Sequence, residues 1–194
     1  MQKYAVTGNI GSGKSTICKV FESLGIPIYY ADKEAKKFYL DTAVIEAVKK
    51  LFGDDVFNIN DQLISSILAE RAFRSQDKLA QLNAIIHPLV MDDLKKWELS
   101  HSGEDYLIYE SALLFESGFH TLFDKIILVT APLELALKRV VSRDGTSPED
   151  FLSRRAAQWD ESKKIELADI IITNDESEPL IPRIIELHSR LSSS

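Results

Sequence analysis

The chain has 194 residues, 45% of them hydrophobic and 27% charged, the balance of a globular protein that can bury about two-thirds of its unfolded surface. A net charge of −7 argues against non-specific binding to nucleic acid or to an anionic membrane, which needs a basic surface. Cys18 is the one cysteine, which excludes an internal disulfide and fits a reducing compartment.

Met1-Gln2-Lys3-Tyr4 runs straight into a strand pattern, with no basic segment followed by an apolar stretch, so no leader is expected. Apolar runs such as Ile126 to Val129 fall far short of a membrane span. A cytoplasmic protein is the expectation.

The first apolar run, Tyr4 to Thr7, leads into Gly8-Asn9-Ile10-Gly11-Ser12-Gly13-Lys14-Ser15-Thr16. This matches G-x-x-x-x-G-K-[ST] in full, with a strand pattern before it and a helical one after. Gly8, Gly11 and Gly13 let the main chain approach an anion with no Cβ in the way. The exposed amides and the helix N-terminus then suit phosphate oxygens. Lys14 reaches toward the β and γ phosphates of ATP, and Ser15 offers a hydroxyl to Mg²⁺. The following helix carries an apolar stripe of Ile17, Val20, Phe21 and Leu24, closed by Gly25. Cys18, one turn into that helix, reads as a small packed residue.

Ile26 to Tyr30 is the second strand pattern, and Asp32 stands just past its end. In an open parallel sheet, ligands sit beyond the carboxyl ends of the strands. Asp32 is therefore either a base toward an attacking hydroxyl or the cap of a helix starting at Lys33. Residues 40–103 hold mostly helical patterns and are expected to form a helical insertion. His87 precedes Pro88 at the end of the apolar pattern Leu79, Leu82, Ile85, Ile86, a setting that suits a structural histidine as well as a ligand-binding one.

Tyr106 to Ser111 is the third strand pattern, and Glu110 near its end fits an acid that supports Mg²⁺ directly or through water. Glu116 is left open, a plain surface charge being the simplest reading. Lys125 to Thr130 follows, then a helix opened by Pro132 with Ala136, Leu137, Val140 and Val141 apolar. Arg139 and Arg143, four residues apart, share one helical face, and Arg154 and Arg155 come next in a basic stretch over residues 139–164 that could serve as a lid. Ser147-Pro148-Glu149-Asp150 is an N-cap pattern with proline at the first helical position. Asp169 to Thr173 is the fifth strand pattern, and Ser192-Ser193-Ser194 is expected to fray. Unalternated strands separated by helices give an α/β class with a parallel sheet and right-handed crossovers. No cysteine–histidine cluster supports zinc.

Taken together, these residues resemble the dephospho-coenzyme A kinase family over nearly the whole chain. The resemblance is carried by Thr7 through Thr16, by Tyr30-Ala31-Asp32, and by Leu82-Asn83-Ala84-Ile85-Ile86-His87-Pro88. Leu113 through Gly118, Phe123-Asp124-Lys125, Arg139, Arg143, Arg154, Gln158, Ala168-Asp169 and Asn174 follow in the family's order. It implies a P-loop kinase fold with a five-stranded sheet in order 2-3-1-4-5. It also implies transfer of the terminal phosphoryl group of ATP, with Mg²⁺, to the ribose 3′-hydroxyl of dephospho-coenzyme A. Asp32 would be the base, with Lys14, Arg139 and Arg143 around the migrating group. Gly8, Gly11 through Thr16, Arg139 and Asn174 would bind ATP. Asp32, His87 and Arg154 would bind the acceptor, and Ser15 and Glu110 the metal. No nucleic acid, membrane or obligatory protein partner is implied.

Three places depart from the family's habit: Asn9 stands where a second glycine is usual, Glu110-Ser111-Ala112 replaces Asp-x-Pro, and Ser65-Ser66 lies near the place of an Asp/Asn-Arg pair, with Arg71 further on. Asparagine tolerates a left-handed φ at the first of these. A nucleoside monophosphate kinase is the nearest alternative, and the Leu-Asn-x-Ile-Ile-His-Pro signature speaks against it. A GTPase switch would carry Asn-Lys-x-Asp after a strand, and Thr173-Asn174-Asp175 is not that pattern.

Overall fold

The computed structural model describes residues 1–192, the side chain of Phe73 apart. Ser193 and Ser194 of the expected frayed tail lie outside the described residues, and Ser192 ends the last helix. The chain divides into two compact units: residues Met1–Tyr30 with His101–Ser194, and residues Ala31–Ser100.

The first unit is built on a parallel sheet. Its strands are β1 (Gln2–Thr7), β2 (Ile28–Tyr30), β3 (Tyr106–Glu110), β4 (Lys125–Thr130) and β5 (Ile170–Thr173). They lie in the order β2-β3-β1-β4-β5, and every neighbouring pair is parallel. This is the implied order, and the strands fall within two residues of the five apolar runs. The runs lack alternation because the central strands are buried on both faces: all five residues of β3 and the last five of β4 are inside.

Two aspartates set the strand register. Asp124, before β4, donates its amide to Lys3 O (2.8 Å) and accepts the Lys3 amide on Oδ2 (2.7 Å). Asp169, before β5, repeats the device on Ile126, at 3.0 and 2.7 Å. Each doubled bond ties a new strand to its neighbour at the amino edge.

One face of the sheet is closed by α1 (Lys14–Ser23) and α9 (Leu180–Ser192). Ile17, Cys18 and Phe21 from α1, with Ile184, Leu187 and Leu191 from α9, pack on Tyr4, Val6, Ile108, Ile127 and Ile172. Cys18 is wholly buried there, a packed residue as read. Gly25 terminates α1 in the left-handed region at φ +87°. Its amide reaches Glu22 O and the Ile26 amide reaches Phe21 O, both at 3.0 Å, which is a Schellman closure. After β4 come α6 (Leu133–Asp144), α7 (Pro148–Ala156) and α8 (Glu161–Leu167). Ser147 caps α7 by accepting the Asp150 amide (3.1 Å), with Pro148 in the first turn.

The second unit, Ala31–Ser100, is helical: α2 (Ala31–Phe38), α3 (Thr42–Phe52), α4 (Ser65–Phe73) and α5 (Gln76–Ser100). A single antiparallel bridge joins Phe57 and Leu63. The helix after β2 starts at Ala31, so Asp32 is its second residue rather than a cap before Lys33. The apolar pattern around His87 does not end there, because α5 runs through Pro88. Its buried stripe of Leu82, Ile86, Val90 and Leu94 continues across the proline, and packing outweighs the one backbone bond that proline removes. No helix among the described residues is long and apolar enough to cross a membrane.

Ile127 lies wholly buried in β4 with β1 and β5 on either side. Ile127→Ala should therefore lower unfolding stability by about 2–5 kcal/mol, measured as a shift in the urea midpoint at unchanged slope. A shift below about 1 kcal/mol would mean that the sheet core relaxes around the gap.

Candidate active site

The loop from Gly8 to Gly13 lies at the carboxyl end of β1 and passes into α1 with Gly13 as its N-cap, at φ +99°. A Cβ on Gly13 would sit 2.1 Å from Asn174 Nδ2, and one on Gly8 would sit 2.2 Å from Val129 O. The first of these positions also needs the left-handed backbone that glycine supplies freely. No side chain caps α1, so its N-terminal amides and the positive end of its dipole are left for an anion. Ser12 Oγ and Thr7 Oγ1 are buried beside the loop and have no hydrogen-bond partner among the described residues. A phosphate-bearing ligand suits that donor set.

Lys14 is buried, and its Nζ bonds Gly8 O (2.8 Å) and Asn9 O (3.3 Å), folded back over the loop's own carbonyls. Asn9 has an ordinary negative φ, so the left-handed tolerance invoked for it is not what the loop requires. Its side chain is used instead: Nδ2 donates to Trp159 O at 3.4 Å. The Ser12 amide donates to Asn9 O at 3.1 Å and closes the turn.

Asn174, just past β5, holds the other half of the loop. Its Nδ2 donates to Ser12 O at 2.8 Å, and its own amide is tied to Thr130 O, also at 2.8 Å. Arg139 from α6 donates to Asn174 O and Oδ1, both at 3.1 Å, and pairs with Glu176 at 3.0 Å. A weaker contact joins Arg139 to Gly11 O at 3.5 Å. Arg139 and Asn174 are thus brought together on the phosphate loop. Glu176 had no sequence signal beyond its place in a polar turn.

Arg143 goes elsewhere. Although it shares a helical face with Arg139, its guanidinium grips Asp144 through two bonds of 2.6 and 2.9 Å. Arg154 approaches the same carboxylate at 3.5 Å. These bonds, Arg143 first, hold the Asp144 carboxyl below its usual range. Arg155 lies 3.9 Å from Glu161.

Glu110 ends β3, beside Val6 and Tyr30 in register, and is buried. Burial pushes the Cys18 thiol up. The Glu110 carboxylate adds to that shift and the Lys14 ammonium opposes it, so both charges act on the first turns of α1. Ser15 lies in the same turn, exposed. A hydroxyl and a carboxylate are hard oxygen donors, the chemistry that suits Mg²⁺. Among the described residues, no group of three His, Cys, Asp or Glu could hold a metal alone.

The position left open at Glu116 is settled by burial: its side chain is 12% exposed, so it is not a plain surface charge. Oε1 accepts the Trp159 amide at 2.7 Å and meets Lys164 Nζ at 2.8 Å. Lys164 is wholly buried, and desolvation lowers its pKa while Glu116 opposes that shift. Phe115 stacks on Trp159 with ring centroids 6.2 Å apart. Gln158 spans Ile10 N (2.8 Å) and Ala112 O (3.1 Å). A charge pattern cannot reveal this pair, because residues 116 and 164 meet only through the tertiary fold.

Asp32 and His87 belong to the Ala31–Ser100 unit: Asp32 lies in the first turn of α2, and His87 is half-buried in mid-α5, where burial lowers its pKa.

The family profile described as dephospho-CoA kinase matches residues 4–179. The chain belongs to the dephospho-CoA kinase family. A dephospho-CoA kinase of Bacteroides fragilis is 40% identical over 186 residues, covering 95% of this chain and 90% of the relative. One of Corynebacterium diphtheriae is 34% identical, covering 100% of this chain and 98% of the relative. Among solved structures, a protein of Thermus thermophilus is similar at TM-score 0.83 and 33% identity, over 99% of this chain and 97% of that one. A dephospho-CoA kinase from Campylobacter jejuni follows at TM-score 0.68 and 28% identity, over 98% and 97%. A shikimate kinase of Bacteroides thetaiotaomicron shares the fold at TM-score 0.56 and 14% identity, over 100% and 99%.

Lys164→Met would leave the Glu116 carboxylate without its buried cation. It should cost about 3–5 kcal/mol of stability, read from chemical unfolding, and pairing it with Glu116→Leu should recover part of that loss. An unchanged midpoint in the single variant would contradict a structural ion pair.

Proposed function

We propose that this chain phosphorylates the ribose 3′-hydroxyl of dephospho-coenzyme A with ATP, giving coenzyme A and ADP, the last step of coenzyme A formation. The observation that carries the reading is a complete phosphate loop, shaped from both flanks and ending in an uncapped helix, within a family match over residues 4–179. A nucleoside monophosphate kinase would need the same loop but not that match.

In this reading the amides of Gly11, Gly13, Lys14 and Ser15 bind the β and γ phosphates, and Lys14 Nζ leaves Gly8 O and Asn9 O to meet them. The γ-phosphorus forms a bond to the 3′-oxygen as its bond to the β–γ bridging oxygen breaks. The hydroxyl proton passes to the Asp32 carboxylate, and ADP leaves. That role for Asp32 is supported by the resemblance of Tyr30-Ala31-Asp32 and by its place directly after β2. Mg²⁺ arriving with ATP would be held by Ser15 and Glu110 and would neutralise charge on the phosphates.

Arg139, with Asn174, keeps the nucleotide side of the loop in shape and is positioned to meet ATP. Arg143 and Arg154, held on Asp144 without ligand, offer two guanidinium groups to the transferring phosphate and the acceptor. Residues 139–164 act as a lid that excludes water and so suppresses ATP hydrolysis. The helical residues 40–103 bind the acceptor, with His87 among the contacts. The enzyme works in the cytoplasm, without an obligatory protein partner, nucleic acid or membrane.

The test is ADP release with ATP and Mg²⁺ and, in turn, dephospho-coenzyme A, AMP, CMP or no acceptor. Turnover with dephospho-coenzyme A alone is expected, and turnover only with a nucleoside monophosphate would overturn the substrate. In the same assay, Asp32→Asn should retain nucleotide binding and lose about 100-fold or more in kcat, whereas an unchanged kcat would remove Asp32 from the chemistry.

A further inference from the structure

Gln158 lies between α7 and α8, one residue past the C-cap of α7. Its backbone is anchored by a 3.0 Å bond from its amide to Arg155 O. Both ends of its side-chain amide are engaged with main chain. Oε1 accepts the Ile10 amide at 2.8 Å, and Nε2 donates to Ala112 O at 3.1 Å. The next residue repeats the bridge: Trp159 O accepts from Asn9 Nδ2 (3.4 Å), and the Trp159 amide donates to Glu116 Oε1 (2.7 Å). The Glu116–Lys164 pair, buried beneath, fixes the far anchor.

The consequence lies in one peptide plane. The Asn9–Ile10 peptide is planar, with its N–H and C=O pointing in opposite directions. Gln158 holds the N–H. The C=O of the same peptide accepts the Ser12 amide at 3.1 Å and Lys14 Nζ at 3.3 Å. Fixing one edge of the plane therefore aims the other, which orients the turn at Ser12 and seats the Lys14 ammonium.

We infer that Gln158 is a positioning residue for ATP: by gripping the Ile10 amide it sets the Asn9–Ile10 peptide that shapes the phosphate loop and seats Lys14. Its side chain acts through main chain, at Ile10 N and Ala112 O. It also joins the segment bearing Arg154 and Arg155 to the loop, so the guanidinium groups and the phosphate amides share one frame. Only an amide of this length offers both the acceptor and the donor the bridge uses. The inference rests on reading the loop as the ATP site.

Two variants test it. Gln158→Met keeps the length and loses both bonds. Gln158→Glu keeps the acceptor but, when ionised, loses the donor and puts a negative charge beside the loop. Steady-state kinetics, ATP titration calorimetry and melting temperature are measured for each. Gln158→Met should raise KM and Kd for ATP about 5- to 30-fold, the scale of one stranded main-chain hydrogen bond, with KM for dephospho-coenzyme A changed less than about twofold. Gln158→Glu should show a larger rise at neutral pH that shrinks toward wild type as pH falls and the carboxyl gains a proton able to donate to Ala112 O.

A purely structural role would lower melting temperature while leaving ATP affinity per folded molecule and its pH profile unmoved. ATP constants within about twofold of wild type in either folded variant would overturn the assignment. So would equal rises in both KM values, or a variant-to-wild-type ratio independent of pH. If the wild-type chain itself bound no ATP in the calorimeter, the proposed function would fall first, which separates the two failures.

Discussion

Everything in the first unit turns on aiming a short run of main-chain amides and the N-terminus of α1 at one point. Such a loop pays in backbone entropy and in unsatisfied polar groups, and it holds its shape only if surrounding side chains take up its other valences. The fold provides these from three directions. Asn174 takes Ser12 O from the side of β5, Gln158 takes Ile10 N from the α7–α8 connection, and Lys14 rests on Gly8 O and Asn9 O from within. The carbonyls of Gly8, Asn9 and Ser12, whose oxygens would repel an anion, are thereby occupied. The N-terminus of α1 is left uncapped.

The sheet order makes this bracketing possible. With β1 central between β3 and β4, the loop emerges between the ends of its neighbours. Segments following β3, β4 and β5 can then reach it: Ala112 and Glu116 through Gln158 and Trp159, Arg139 from α6, and Asn174 directly. Asp124 and Asp169 hold the opposite edge of the sheet in register, far along the strands from the chemistry.

Much of this was legible in the residues alone. The strands were visible because a sheet buried on both faces needs unbroken apolar runs, and Gly25, Ser147 and the phosphate loop are local signals that depend only on nearby chain. The order of the strands was available only through family resemblance, since local pattern carries no information on which strands pair. The contacts that hold the site were the hardest to see. Glu116 and Lys164 are 48 positions apart and look like solvated charges until the fold buries them. Asn9 suggested a backbone role and turned out to have a side-chain one. Arg139 and Arg143 share a helical face yet choose different carboxylates, because Asp144 is adjacent to one and Glu176 reaches only the other. Pro88 suggested a helix end, but the stripe on either side of it overrode that local preference.

The central claim is that this loop is a ready phosphate cradle whose lysine is parked on carbonyls until a nucleotide arrives. A crystal structure with a non-hydrolysable ATP analogue and Mg²⁺ tests it directly. The account predicts β- and γ-phosphate oxygens within hydrogen-bond distance of the amides of Gly11, Gly13, Lys14 and Ser15. It also predicts Lys14 Nζ turned from Gly8 O and Asn9 O onto phosphate, while Gln158 and Asn174 keep their present bonds. A nucleotide bound away from the loop, or one bound with Lys14 still on Gly8 O, would contradict it.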